Sequence, residues 1–171
     1  MADSKKADYK DIPETGCCPK FDPSLWDEKE IKWDSKLFVK DTVTCLFHIP
    51  LNMGSVMKRM HNKVLEAGAG LEDMKDFVLL SHDRSSWKSD QYYSVKKEVP
   101  DMENVKLSGT FMTKVFEGPY KDARNWYKEM MKYVEAKGKK VKNLYFYYTT
   151  CPKCAKVYGR NYVVAFAELE S

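Results

Sequence analysis

Three groups of side chains have residue types and spacings that could do chemistry. The first is a carboxylate and an imidazole, Glu117 and His48, each expected at the end of a strand just before a helix-opening turn. If the two halves of the chain pack about a local dyad, these side chains approach one another, and a carboxyl group in poorly solvated, aromatic surroundings acts as a general acid or base. The alternative leaves both at strand ends in water. The second is a set of aromatic residues at alternating strand positions, Tyr92, Phe111, Tyr145 and Tyr147, with Trp87 in a nearby loop. Placed on one sheet face, they would line a pocket for a flat apolar guest. The third is Cys151-Pro152-Lys153-Cys154, whose C-x-x-C spacing suits a zinc knuckle or a redox pair, with the vicinal Cys17-Cys18 as further thiolates. Reduced thiols in a turn are the alternative, and no metal or cofactor is assigned.

The elements that would position these groups occur twice. Setting Pro50 against Pro119 gives an offset of 69 (119 − 50), which carries Glu66-Ala67 onto Glu135-Ala136, Phe77 onto Phe146, Tyr93 onto Tyr162 and Val95 onto Val164. A recurring order of strand, proline, helix, strand, strand is the signature of a duplicated module. The first module spans 41–100. It has a Val- and Thr-rich strand from Asp41 to Ile49, a helix from Gly54 to Ala67 closed by Gly68, and strands around Phe77–Leu80 and Gln91–Val99. The second spans 105–169: a strand to Glu117, a helix from Lys121 to Lys137 with Ala123, Trp126, Tyr127, Met130 and Val134 on one face, then strands at Leu144–Thr150 and Asn161–Leu169. The class predicted is α+β, an antiparallel sheet with both helices on one face and a cleft on the other. Residues 1–40 read as a polar tail and then an arm, from Cys17 to Val39, that lies across the body. Its apolar residues include Phe21, Trp26, Ile31 and Trp33. Were the arm to cover the open face, the aromatics would be core and not pocket.

Residues kept apolar in both copies are assigned to the helix side: Phe47 with Phe116, Phe77 with Phe146, Tyr93 with Tyr162, Val95 with Val164. The open side then takes Thr44, Leu46, His48, Phe111, Thr113, Val115, Glu117, Tyr145, Tyr147, Tyr92, Val163 and Ala165. The chain carries 29 basic and 25 acidic residues, net +4, with the signs interleaved. That pattern is a solvated surface, so no direct nucleic-acid contact is expected, and the cluster Lys137, Lys139, Lys140 and Lys142 reads as a charged turn. No run approaches the roughly 20 apolar residues of a membrane span. A polar amino terminus without an apolar leader places the expected location in the cytoplasm.

Phe116-Glu117-Gly118-Pro119-Tyr120, Trp126 in the following helix, and Leu144-Tyr145-Phe146-Tyr147 before a closing strand together resemble the GyrI-like small-molecule-binding domain family over residues 41–169. The resemblance implies a duplicated module of the SHS2 type and a cleft that takes flat, often cationic or aromatic xenobiotics. Members serve as effector-binding halves of multidrug-responsive regulators, as stand-alone drug-sequestering or gyrase-modulating proteins, or as hydrolases that open cyclopropane-bearing compounds in an aromatic cage. With no helix-turn-helix ahead of the domain, a stand-alone member is the expectation. Regulator-type members place an acidic residue in the last strand. Here Tyr162 to Phe166 is apolar until Glu168, which leaves Glu117 as the carboxylate carried into the cleft.

Two other functions remain open. One is a protein-interaction module that inhibits a partner such as a topoisomerase, with exposed aromatics as its contact patch. The other is haem binding, as in a related two-module fold, with His48 and His61 as ligands.

Overall fold

A computed structural model describes residues 20–150 and 152–171. Seven strands and three helices follow in the order β1 (Lys29–Leu46), β2 (Ile49–Pro50), α1 (Met53–Glu66), β3 (Leu79–Asp83), β4 (Lys88–Ser94), β5 (Glu103–Glu117), α2 (Ala123–Ala136), β6 (Val141–Tyr148), α3 (Pro152–Tyr158) and β7 (Tyr162–Leu169). All pairings are antiparallel. Six of the strands form a ring in the order β1-β4-β3-β6-β7-β5, which the β1–β5 ladder closes. The sheet therefore curls into a barrel and leaves these strands no free edge. Among the described residues no helix is long and apolar enough to cross a membrane.

Both long helices lie on the outer surface of the barrel for the same local reason. In α1 the buried residues are Val56, Met60 and Val64, and in α2 they are Trp126, Met130 and Val134. Each set is an i, i+4, i+8 stripe that must be covered. The first stripe packs on Val39, Val43 and Cys45 of β1 and on Val95. The second packs on Met112, Phe116, Leu144, Val163, Ala165 and Ala167. Burial of each such side chain stabilises the fold by about 1.5–3 kcal/mol. The helices also end alike. Ala69 N–H bonds to Val64 C=O (3.0 Å) past a left-handed Gly68, and Lys139 N–H bonds to Val134 C=O (3.3 Å) past a left-handed Gly138. The helical correspondence thus runs Val56/Trp126 to Gly68/Gly138, an offset of 70 (126 − 56), one residue from the 69 read in the sequence.

That single residue matters in a strand, where a slip by one exchanges faces. Val95 packs under α1 as expected, but Val164 points into the barrel. Val163 and Ala165, expected on the open side, pack under α2. Phe47 is in no strand face at all, since it sits in the β1–β2 turn.

The described part of the expected arm is only partly an arm. From Lys29 onward it forms β1, paired with β5 from Lys29↔Thr113 to Lys40↔Glu103. Ser35, at φ 55°, lies within the bulge between Trp33 and Lys36. The bulge shifts the alternation, so that Ile31 and Trp33 before it and Phe38 after it all face the barrel interior. Gly109, at φ 138°, stands opposite Trp33. The Gly118-Pro119-Tyr120 turn links β5 to α2. Gly118, at φ 150°, would bring a Cβ to 3.3 Å from Asp122 Oδ2 and 3.5 Å from Trp126, which explains the residue type there. Asn161 clasps the turn from β7's side, its Nδ2 donating to Gly118 C=O at 2.7 Å.

Candidate binding site inside the barrel

The barrel interior is aromatic, and the chain's own side chains fill it. Phe38, Leu80, Tyr92, Phe111, Tyr145, Val164 and Phe166 are buried there, with half-buried Phe21, Trp26, Trp33 and Tyr147 packed against them. Trp33, itself half-buried, packs against three of these rings. Its ring centroid lies 4.5 Å from that of Phe111 and 5.7 Å from those of Phe38 and Phe166, and it stacks on Phe166 at 29°. Trp26 adds a second contact to Phe166 at 5.4 Å, and Phe21 meets Tyr147 and Tyr162. The open cleft expected from the sequence is therefore occupied, because residues 21–33 carry four large apolar side chains that find no other core.

The aromatic lining is flanked by carboxylates. Glu168 is buried in the last strand, where Asn143 Nδ2 donates to it at 2.9 Å, Tyr145 O–H at 3.4 Å, and Lys142 Nζ lies at 3.7 Å. Asp90, also buried, receives Thr42 Oγ1–H and Arg84 Nε–H at 2.8 Å each and faces Lys40 at 3.7 Å. Tyr145 packs edge-on against Tyr92 (5.7 Å) and lies 5.1 Å from the His82 ring. Burial, with Glu168 and Tyr92 next to it, holds the Tyr145 hydroxyl well above the usual phenol range. Burial, with Asp90 and Glu103 close by, raises Tyr92 as well. Both hydroxyls therefore stay protonated donors at neutral pH. Lys40 Nζ stands 6.0 Å over the Tyr92 ring. A polar groove of about 470 Å³, lined by Lys40, Arg59, Lys63 and Glu103 among others, opens beside it.

The residues singled out from sequence divide in two. Tyr92, Phe111 and Tyr145 come together in the interior, with Tyr147 at its half-buried margin. Glu117, His48 and Trp87 do not join them. Glu117 is exposed, pairs with Arg160 at 3.4 Å, and stands six residues from Phe111, about 20 Å along an extended strand. Nor does it meet His48. Because β1 and β5 are antiparallel, their carboxyl-terminal ends lie at opposite ends of the ladder. His48 sits in the exposed β1–β2 turn with Asp83 at 3.5 Å and Ser86 Oγ at 3.2 Å, and the exposed Trp87 packs on Phe47. His61, on α1, has a different partner, Tyr93 Oη at 3.1 Å, so the two histidines do not share a contact.

Glu168, Asp90 and His82 are site residues that the sequence reading missed, whereas Trp33 lies where the arm-covered alternative put it. The signal for Glu168 was its place in the closing strand. It was obscured because β7 is buried on both faces and shows no alternation to set its parity. Cys17, Cys18 and Cys151 lie outside the described residues. Cys154 is buried in α3, a short helix where a turn was expected.

A closed antiparallel barrel with two outer helices, an aromatic interior and buried carboxylates defines an α+β protein. Over residues 8–169 the chain matches the family described as bacterial hydrolase, and it belongs to that family. No curated protein matches it. Among solved structures it is similar to the EcmrR C-terminal domain (TM-score 0.62, 15% identity, 86% of this chain and 99% of that one). It also resembles a hydrolase from Listeria innocua (0.57, 11%, 84% and 92%) and SAV2435 bound to tetraphenylphosphonium (0.51, 12%, 85% and 94%). EcmrR is also seen in a DNA complex, where the match covers 58% of its chain.

Proposed function

We propose that this protein binds flat hydrophobic or aromatic small molecules in the barrel interior, favours those with a positive charge, and is of the GyrI-like kind built from two SHS2-type modules. The observation that carries this is the buried Glu168 carboxylate hydrogen-bonded to Tyr145 among Tyr92, Phe111 and Phe166. Aromatic faces and a carboxylate both attract a cation that has shed water, and the apolar walls favour its flat groups. Tetraphenylphosphonium, the ligand of SAV2435, is an aromatic cation of this kind in charge and apolarity, with four flat rings set tetrahedrally about phosphorus. The helical correspondence at one offset, with matching stripes and matching caps, supports the duplication.

A ligand would enter by taking the place of Trp33. That ring is only half-buried, its strand is interrupted by a bulge, and Gly109 opposite has open space around its α-carbon. Trp33 is then an internal stand-in for the guest. Hydrolysis is a second reading, favoured by the family and by the Tyr145–Glu168 hydrogen bond. On a strained-ring xenobiotic, Glu168 would accept a proton from a water whose oxygen bonds to a ring carbon; the ring bond at that carbon breaks, its electron pair passes to a conjugated carbonyl oxygen held by the tyrosine hydroxyls, and that oxygen takes a proton from a tyrosine that recovers it from Glu168.

The test is thermal unfolding with tetraphenylphosphonium and with neutral planar aromatics. A ligand at a hundred times its Kd stabilises the fold by about 2.7 kcal/mol. Absence of any shift across such a set would remove the proposal.

A further inference from the structure

Unlike charges stand on either side of the aromatic rings of the interior. On one side is Glu168, held by Asn143 and Tyr145. On the other is Lys36, where pairing resumes after the bulge in β1. Strand alternation puts Lys36 on the same face as Phe38, which is buried in the interior. Its Nζ stands 5.6 Å from the Trp33 ring centroid and donates to Asp76 C=O at 3.3 Å. From Lys36 the contacts run to Trp33, from Trp33 to Phe111 at 4.5 Å, from Phe111 to Tyr145 at 6.5 Å, and from the Tyr145 hydroxyl to Glu168. The strand partners of the two charged residues on β5, Leu107 and Phe111, are four residues apart (111 − 107), about 13 Å along the strand.

These two charges differ from the other charges of the interior in what they still lack. Asp90 is already neutralised, since both Arg84 and Lys40 meet it. Glu168 faces, among the described residues, only the exposed Lys142 at 3.7 Å. Lys36 is half-buried, and among the described residues no carboxylate stands within ion-pair distance of its ammonium. Burial pulls that ammonium below the usual lysine range, and the Asp76 carboxylate, acting from farther off, offsets this only in part. An ammonium has three N–H donors, so the bond to Asp76 C=O leaves two. A charge partly stripped of water gains from an oxygen acceptor brought to it, and the Trp33 ring that the guest replaces is what Lys36 now faces.

We infer that the guest is dipolar: an aromatic rod of about two rings, with a cationic group at the Glu168 end and an oxygen acceptor, carboxylate in its strongest form, at the Lys36 end. This rests on binding in the interior and deepens it, because it makes Lys36 a specificity-determining residue. A guest bound the other way round would set like charges together at both ends, so the pair also fixes its direction. A second positive charge at the far end of the rod would meet Lys36 and be rejected for the same reason.

The probes are a biphenyl bearing an amidinium at one end and the same amidine with a carboxylate at its far end. Each is titrated calorimetrically into the wild type, Lys36→Met and Lys36→Arg. Lys36→Met keeps the apolar stem and removes the charge, while Lys36→Arg keeps the charge. The readout is the ratio of the two affinities in each protein, because loss of Lys36 also loosens Trp33 and moves both probes together. The ratio is expected to favour the dipolar probe in the wild type, to persist in Lys36→Arg, and to fall about tenfold or more in Lys36→Met, as the loss of one charge-assisted hydrogen bond requires. A ratio unchanged in Lys36→Met, or a wild type that binds the plain amidine as tightly as the dipolar probe, overturns the inference and leaves interior binding standing. Binding of neither probe by the wild type removes the interior binding itself, and the inference with it.

Discussion

Replacing Trp33 by alanine should make the protein less stable and a better binder. The indole touches Phe38, Phe111 and Phe166 with centroids 4.5–5.7 Å away, and Lys36 Nζ stands 5.6 Å from it. Full truncation of a buried Trp costs about 3–5 kcal/mol. Because this ring is half-buried, about 2–3 kcal/mol is expected, in line with three aromatic pairs at about 0.5–1.5 kcal/mol each. If a guest must displace the ring, the same interactions oppose binding in the wild type, and their removal returns most of that free energy to the ligand. At about 1.4 kcal/mol per tenfold, the variant should bind tetraphenylphosphonium at least about tenfold more tightly. Urea denaturation gives the stability change and isothermal calorimetry the affinity. A folded Trp33→Ala protein that binds with equal or lower affinity would refute the view that Trp33 holds the ligand's place.

Two further outcomes follow from the geometry. Glu117→Gln should leave ligand affinity unchanged and shift stability by no more than about 1 kcal/mol, because an exposed ion pair is worth about 0–1 kcal/mol; a lost binding isotherm would return Glu117 to the site. Stability should fall at alkaline pH. Burial, with Asp83 and Tyr120 adding to it, pushes the Tyr148 hydroxyl up to about 12, and Tyr92 and Tyr145 are raised too. Unfolded tyrosines lose their protons near 10, so between about pH 10 and 12 the unfolded chain binds fewer protons and is favoured as pH rises. The slope is about 1.4 kcal/mol per pH unit for each such tyrosine. Urea midpoints at pH 9, 10 and 11 check this, and tyrosinate absorbance rising for every tyrosine near pH 10 in the folded protein would contradict it.

What the sequence showed and hid follows from period and parity. The helices were legible because a stripe such as Trp126, Met130 and Val134 ended by Gly138 has one reading. The interior tyrosines were legible from alternation in β4 and β6. The first part of β1 was not, although Ile31 and Trp33 alternate with Glu30, Lys32 and Asp34, because the bulge at Ser35 breaks the period before Phe38 resumes it. The covering of the cleft by Trp26 and Trp33 was legible as an alternative, from the apolar residues of the arm, but it is a long-range contact that no local pattern decides. Glu117 stood in for Glu168 because Tyr162 to Phe166 reads as apolar up to Glu168, and in a strand buried on both faces no alternation shows that Glu168 faces inward. The opposed directions of β1 and β5, which separate His48 from Glu117, are likewise a property of the closed ring and not of either strand.

The most direct measurement is a pair of calorimetric titrations with tetraphenylphosphonium, one of the wild type and one of Glu168→Gln. Glutamine keeps the size of the side chain and one acceptor oxygen, which can still take the Asn143 and Tyr145 hydrogen bonds that both go to Oε2, and it loses the charge and the acceptor that faces Lys142, so the fold should persist. Saturable binding by the wild type, weakened about tenfold or more in the variant, is the result expected if a buried carboxylate worth about 1.4 kcal/mol or more faces the guest. Equal affinity in the two proteins, or no binding by either, would contradict it.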